Sequence, residues 1–363
     1  MIKADGADSL KLECVAIGSM PHKDLSSAIS IVKECCSNIP FWPQMVKISK
    51  NEDMIIQFLE NMPSFFYEKP FLDTDYETFY KEMEDFFLDY ETIISGEDCN
   101  GEIIEKYAIS DKNASSFKYF IDIIKNSNIK FAKGQIVGPF TLATTLVDRN
   151  GKCAVYDDTL REIILKTLSI KALWQIKKIK EANPKITPII FIDEPTITQL
   201  GTSAYLTISE ESVIDMLSEI SSLIQANGGL SAIHCCGKCD WKIPINSRVN
   251  MINLDAFGYA QNLSLYSNYV NKFLQNKGKI VWGIIPTLDR NALKDFTVKN
   301  AMDCFYRAVK YLTNKGINEK LIIDNSLISP SCGAGGVSIE LADKTFKLLK
   351  SVSNELKARY NDI

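Results

Sequence analysis

The chain has 363 residues, 46% of them hydrophobic and 24% charged, with a net charge of −4. Those proportions describe a globular protein and exclude a disordered or low-complexity chain. The weak acidity gives no electrostatic reason to expect nucleic acid or an anionic membrane as partner. The N-terminal residues Met1 to Asp8 carry charges where a secretion signal needs an apolar run, and no stretch is long and apolar enough to span a bilayer. A cytoplasmic protein is expected, its ten cysteines serving as thiols or ligands and not as a disulfide framework.

In chain order, short apolar runs alternate with longer amphipathic ones. Strands are expected at Leu12–Ile17 and Ile39–Trp42, with a helix at Leu25–Ser37 behind Asp24. Residues 47–130 form a long excursion rich in aromatic and acidic side chains. They are expected to add helices, because a structureless loop of that length does not belong in a compact domain. Further strands are expected at Phe131–Val137, Thr187–Ile192, Leu230–His234, Met251–Asp255, Lys279–Ile284 and Leu327–Ser331. Helices at Leu160–Glu181 and Glu210–Gln225 end at Asn183-Pro184 and Asn227-Gly228-Gly229. Eight βα units make an α/β (β/α)8 TIM barrel the expected fold, one domain over residues 1–363 with a helical insertion at 47–130.

In such a barrel the site collects at the C-terminal ends of the strands. Those ends carry Gly18, Ser19 and His22; Pro43 and Gln44; Gly138, Pro139 and Thr141; Asp193 and Glu194; His234 and Cys236; Asp255; Pro286 and Asp289; and Cys332. Of only two histidines, one lies in Ile233-His234-Cys235-Cys236-Gly237. Imidazole and thiolates suit a borderline-soft ion such as Zn²⁺, and three ligands, His234, Cys236 and Cys332, leave one position open as in a catalytic site. Asp255 is a candidate fourth ligand or, equally, a helix N-cap. Cys236-Gly237-Lys238-Cys239 also allows a local metal knuckle or a redox pair. Asp193 and Glu194 end a buried strand, so each needs a partner: a substrate ammonium or an internal salt bridge. His22 reads as a surface or capping residue.

Taken in order, these pieces resemble the catalytic barrel of cobalamin-independent methionine synthase, in the superfamily that also holds uroporphyrinogen decarboxylase and the zinc methyltransferases acting on methylated corrinoid proteins. Ala16-Ile17-Gly18-Ser19 resembles the segment that contacts the amino acid substrate, and Asp193-Glu194-Pro195 the motif whose aspartate holds the substrate amine. His234-Cys235-Cys236 resembles the zinc motif, Ile252 to Asp255 the strand with the zinc-ligand glutamate, and Ser329-Pro330-Ser331-Cys332-Gly333 the last zinc cysteine. The resemblance implies Zn²⁺ as cofactor and transfer of a methyl group to a small thiol such as homocysteine or coenzyme M. In this role Asp193 is catalytic, and Gly18, Ser19, Asp193 and Glu194 bind substrate. The chain has room for one barrel where methionine synthase has two, and Val281 to Pro286 lacks the family's relay histidine. A methyl-corrinoid donor, free or on a corrinoid protein, is therefore expected in place of a folate. Porphyrin decarboxylation and a non-catalytic zinc- or corrinoid-binding role are the alternatives.

Overall fold

A computed structural model describes residues 10–360. The charged N-terminal stretch Met1 to Asp8 lies outside them. Six strands form one parallel sheet in sequential order: β1 (Phe131–Val137), β2 (Thr187–Asp193), β3 (Leu230–Cys235), β4 (Met251–Asp255), β5 (Lys279–Ile285) and β6 (Ser326–Pro330). All six match expected strands, with ends displaced by at most a residue. The helices, in chain order, are α1 (Leu25–Cys35), α2 (Phe79–Ser95), α3 (Glu102–Lys106), α4 (Phe117–Lys125), α5 (Pro139–Thr145), α6 (Asp158–Ala182) and α7 (Glu210–Ala226). They continue with α8 (Lys242–Asn246), α9 (Ala256–Leu263), α10 (Ser267–Gln275), α11 (Arg290–Lys294), α12 (Val298–Thr313), α13 (Glu319–Asp324) and α14 (Ile339–Tyr360). Among the described residues no helix is long and apolar enough to cross a membrane.

Successive side chains of a strand point to opposite faces. One face, with Ala132, Ile190, Ile192, Ile233, Ile252, Leu254, Ile280 and Trp282, joins the large core that includes the helices. The other face, with Phe131, Ile189, Phe191, Leu230, Ala232, Met251, Val281 and Leu327, forms a separate apolar cluster with Leu10, Val15, Ile17 and Ile39. Two-residue periodicity puts Lys133, Gln135, Asp193, His234, Asn253, Asp255 and Ser329 on this second face. The apolar residues fill its lower part, and the polar ones gather towards the C-terminal ends.

The expected eight-stranded barrel is corrected to this six-stranded sheet. Leu12–Ile17 and Ile39–Trp42 are not strands; each is tied to an edge of the sheet by isolated pairs, Cys14 with Ile328 and Phe41 with Lys133. The first segment, which starts at a left-handed Leu12 (φ 57°), pairs with β6 around Ile328 (Val15 N to Ile328 O at 2.9 Å, Ile328 N to Glu13 O at 3.0 Å), and the next rung falls on Pro330, which has no N–H to give. The second loses its next rung to a side chain. Lys133 exchanges both main-chain bonds with the 40–42 segment (to Pro40 O at 2.8 Å, from Trp42 N at 3.0 Å). Two residues on, the same edge at Gln135 is taken by the Gln175 amide from α6, which accepts from Gln135 N (3.0 Å) and donates to Gln135 O (2.9 Å). The two segments meet at their ends, where Gln44 N donates to Gly18 O (2.8 Å) and Met20 N to Gln44 O (3.0 Å).

Residues 47–130 carry two single-turn 3-10 helices, Lys50–Glu52 and Ile56–Phe58, besides α2, α3 and α4. They pack on α6, with Phe117 stacked on Trp174 and the fully buried Lys171 donating to Glu60 O and Tyr107 O, both at 2.7 Å. Towards the strand ends Gln44 Nε2 donates to Gln57 Oε1 (2.8 Å).

The Gln175 wedge needs a glycine beneath it, because a Cβ on Gly134 would collide with Gln175 Oε1. Gly134→Ala is expected to cost about 1–3 kcal/mol, the usual range for overpacking, read as a lower denaturation midpoint. Unchanged stability would show that the wedge is not tight.

Candidate metal centre

His234 is the last inward-facing residue of β3; Cys235 points to the opposite face and Cys236 follows the strand. One ligand atom from each of His234, Cys236 and Cys332 lies within 4.8 Å of the other two. A tetrahedral Zn²⁺ with bonds of about 2.0–2.3 Å draws its ligands to within roughly 4 Å of one another, so small side-chain movements complete the site. The fit also shows in an orphan: His234 Nε2 is buried and makes no hydrogen bond, while Nδ1 is 2.6 Å from Asn253 Oδ1. A buried ring nitrogen left without a partner suits a metal ligand.

Cys332 is set by the end of β5. The register between β5 and β6 slips between Gly283 and Ile285, and Gly283 has no Cβ to collide with Ser331 Cα. Thr287 then clamps the cysteine, its hydroxyl donating to Cys332 O (2.8 Å) and accepting from Cys332 N (3.0 Å). Ser19 backs the same loop: its carbonyl accepts from Ala334 N (3.0 Å), and a Cβ on Gly333 would strike its hydroxyl. Gly18 allows Gln44 and Gln135 to close over it. Cys239 is buried and interacts with the Cys235 thiol, whereas Cys236 interacts with Cys332.

Without an ion the three ligands share protons unevenly. The Cys332 thiol, donating to Cys236, outweighs burial and together with His234 brings Cys236 down to about 4. The same bond, with burial, pushes Cys332 well up. Burial opposes the charged His234 ring, yet the Cys236 thiolate and Asp193 hold it at about 9.

The carboxylates have distinct surroundings. Asp193, at the end of β2 and level with His234 on β3, is raised by burial, against Lys133 and His234. Its Oδ1 is buried with no hydrogen-bond partner. Glu194 has found its partner in the start of α5: its oxygens accept from Phe140 N (2.8 Å), Thr141 N (3.0 Å) and Thr141 Oγ1 (2.7 Å). Burial still lifts it to about 7. Asp255 stands outside the three-ligand group and caps α9, accepting from Gly258 N at 2.9 Å. His22 Nε2 bonds Asp343 at 3.0 Å.

Lys133 escaped the sequence reading. Fully buried, it donates to Gln135 Oε1 (2.7 Å) with its ammonium 4.9 Å from the centre of the Phe191 ring; burial brings it down to about 8, against Asp193. The signal was present in Phe131-Ala132-Lys133-Gly134-Gln135, two polar residues two apart inside an apolar run.

Compared with models of known protein families and with curated proteins, the sequence gives no match.

The purified chain is expected to hold about one zinc per molecule. Cys236→Ser and Cys332→Ser should each abolish it and Cys239→Ser should not, as read by elemental analysis; zinc kept by the first two, or lost only from the third, contradicts the assignment. A pH dependence follows as well. At pH 7 His234 and Cys332 carry protons and Cys236 does not, so binding releases about two protons and tightens as pH rises. Calorimetry in buffers of different ionisation enthalpy measures that release, and an affinity constant between pH 6 and 8 excludes it.

Proposed function

We propose that this chain is a zinc-dependent methyltransferase that moves a methyl group from a methyl-corrinoid to a small thiol such as homocysteine or coenzyme M. The observation that carries the reading is the convergence of His234, Cys236 and Cys332 with a buried, unpaired imidazole nitrogen. Three protein ligands leave a position for a substrate sulfur. When bound, Zn²⁺ supplies the acidity that lets a thiol act as thiolate near neutral pH.

The chain's own groups do the rest. Asp193 offers its unpaired Oδ1 to a substrate ammonium, with Lys133 supplying a compensating positive charge from β1. Ser19 forms the wall beside the Cys332 loop, with Gly18 next to it beneath Gln44 and Gln135. Glu194 is engaged by the start of α5. In the transfer the substrate sulfur forms the new S–CH3 bond as the Co–CH3 bond breaks, its electron pair leaves with cob(I)alamin, and the thiol proton passes to solvent. No protonation of the leaving group is required, which suits a chain whose second histidine, His22, is engaged by Asp343. A folate donor, by contrast, leaves as an amine that must be protonated. The ordered resemblance to the methionine synthase barrel supports the same reaction class.

The test is methyl transfer from methylcobalamin to a panel of thiols. Asp193→Asn is expected to lower kcat/KM for homocysteine by about tenfold or more relative to thiols without an amine, with zinc retained, because a charge-assisted bond is lost. Equal losses for both kinds of thiol contradict the role of Asp193. Transfer from methyltetrahydrofolate polyglutamate with none from methylcobalamin overturns the donor.

A further inference from the structure

His234 has two nitrogens that can bind a metal, and a side chain outside the ligand group decides between them. Asn253, fully buried on β4, lies beside His234 in the sheet register. Its amide has one nitrogen and one oxygen, and the neighbours dictate which points where. Val281 O, on β5, lies 2.8 Å from one end. A peptide carbonyl only accepts, so this end is Nδ2. Ser329 Oγ, on β6, is 2.8 Å from the same nitrogen and spends its own proton on Pro330 O at 2.9 Å. It too accepts from Asn253. Both Nδ2 protons are thus used, and the remaining atom, Oδ1, faces His234 Nδ1 at 2.6 Å.

An amide oxygen carries no proton, so Nδ1 must donate. We infer that Asn253 is a positioning residue that fixes His234 as an Nε2 ligand, through a one-way chain of hydrogen bonds anchored on the main chain of β5 and β6. The two tautomers of a free imidazole are close in energy, and the wrong one presents an N–H to the ion instead of a lone pair. The chain also joins two ligands mechanically, because Ser329 and Cys332 lie on the same short stretch after β6 begins. Second-sphere partners of this kind commonly govern metal affinity. This inference rests on the metal reading of the site.

The experiment uses the full chain with Asn253→Leu, which removes the acceptor at similar size, and Asn253→Asp, which keeps an acceptor for Nδ1. Zinc affinity is measured by competition with a chromophoric chelator, and the His234 ring by ¹⁵N NMR. Asn253→Leu is expected to bind zinc about 10–100-fold more weakly, while Asn253→Asp stays within a few-fold of the wild type. In the zinc-bound wild type the ring's one remaining proton should sit on Nδ1. Wild-type affinity in Asn253→Leu, loss in Asn253→Asp as complete as in Asn253→Leu, or an unprotonated Nδ1 in the wild type would overturn the inference. If Asn253→Leu does not fold, the Asp variant and the ring spectrum decide. Failure of the wild type to bind zinc counts against the metal reading instead, and the tautomer of the neutral ring, read at alkaline pH, still judges Asn253.

Discussion

Six parallel strands end along one edge, and every polar group buried there must find a partner. That requirement organises the rest of the molecule. These strand ends are buried, so each carboxylate, amide and ring nitrogen depends on a helix start or a neighbouring strand for its partner. Glu194 is answered by the first N–H groups of α5 and Asp255 by those of α9. Asn253 is answered three times over. Those left partly unanswered, His234 Nε2 and Asp193 Oδ1, sit together on neighbouring strands.

Much of the fold was legible because apolar runs of strand length, separated by helical periodicity, have one economical arrangement. The six strands follow from that pattern. The other two candidates carry the same kind of residues, and what separates them from strands is not local. One runs out of partners at Pro330 on β6; the other is displaced by Gln175, which lies far along the chain in the middle of a helix. No pattern within Ile39–Trp42 records a competitor for its hydrogen bonds.

The ligand group was legible for a chemical reason: with two histidines in the chain, a His-x-Cys pair at a strand end stands out, and Cys332 closes the set. The carboxylates were harder. A residue that ends a buried strand and starts a helix satisfies the description of a ligand and of a cap equally well, and Asp255 meets both; Glu194 serves a helix distant in sequence, α5. Only the positions of the helix N–H groups distinguish them. Lys133 was hidden by the opposite bias, since a charge within an apolar run reads as a surface break until the strand is known to be buried on both faces.

Lys171 shows what burial does to a fastening. Its nitrogen holds the carbonyls of Glu60 and Tyr107, two distant points of the 47–130 segment, against the middle of α6. Burial, resisted by Glu60, brings its pKa down to about 7. A neutral amine still has two N–H bonds, and there are two carbonyls to receive them. The joint therefore survives loss of its proton, and because it is made to main-chain dipoles and not to a counter-charge, added salt has little to screen. The segment is pinned by a rivet that ionic strength does little to loosen.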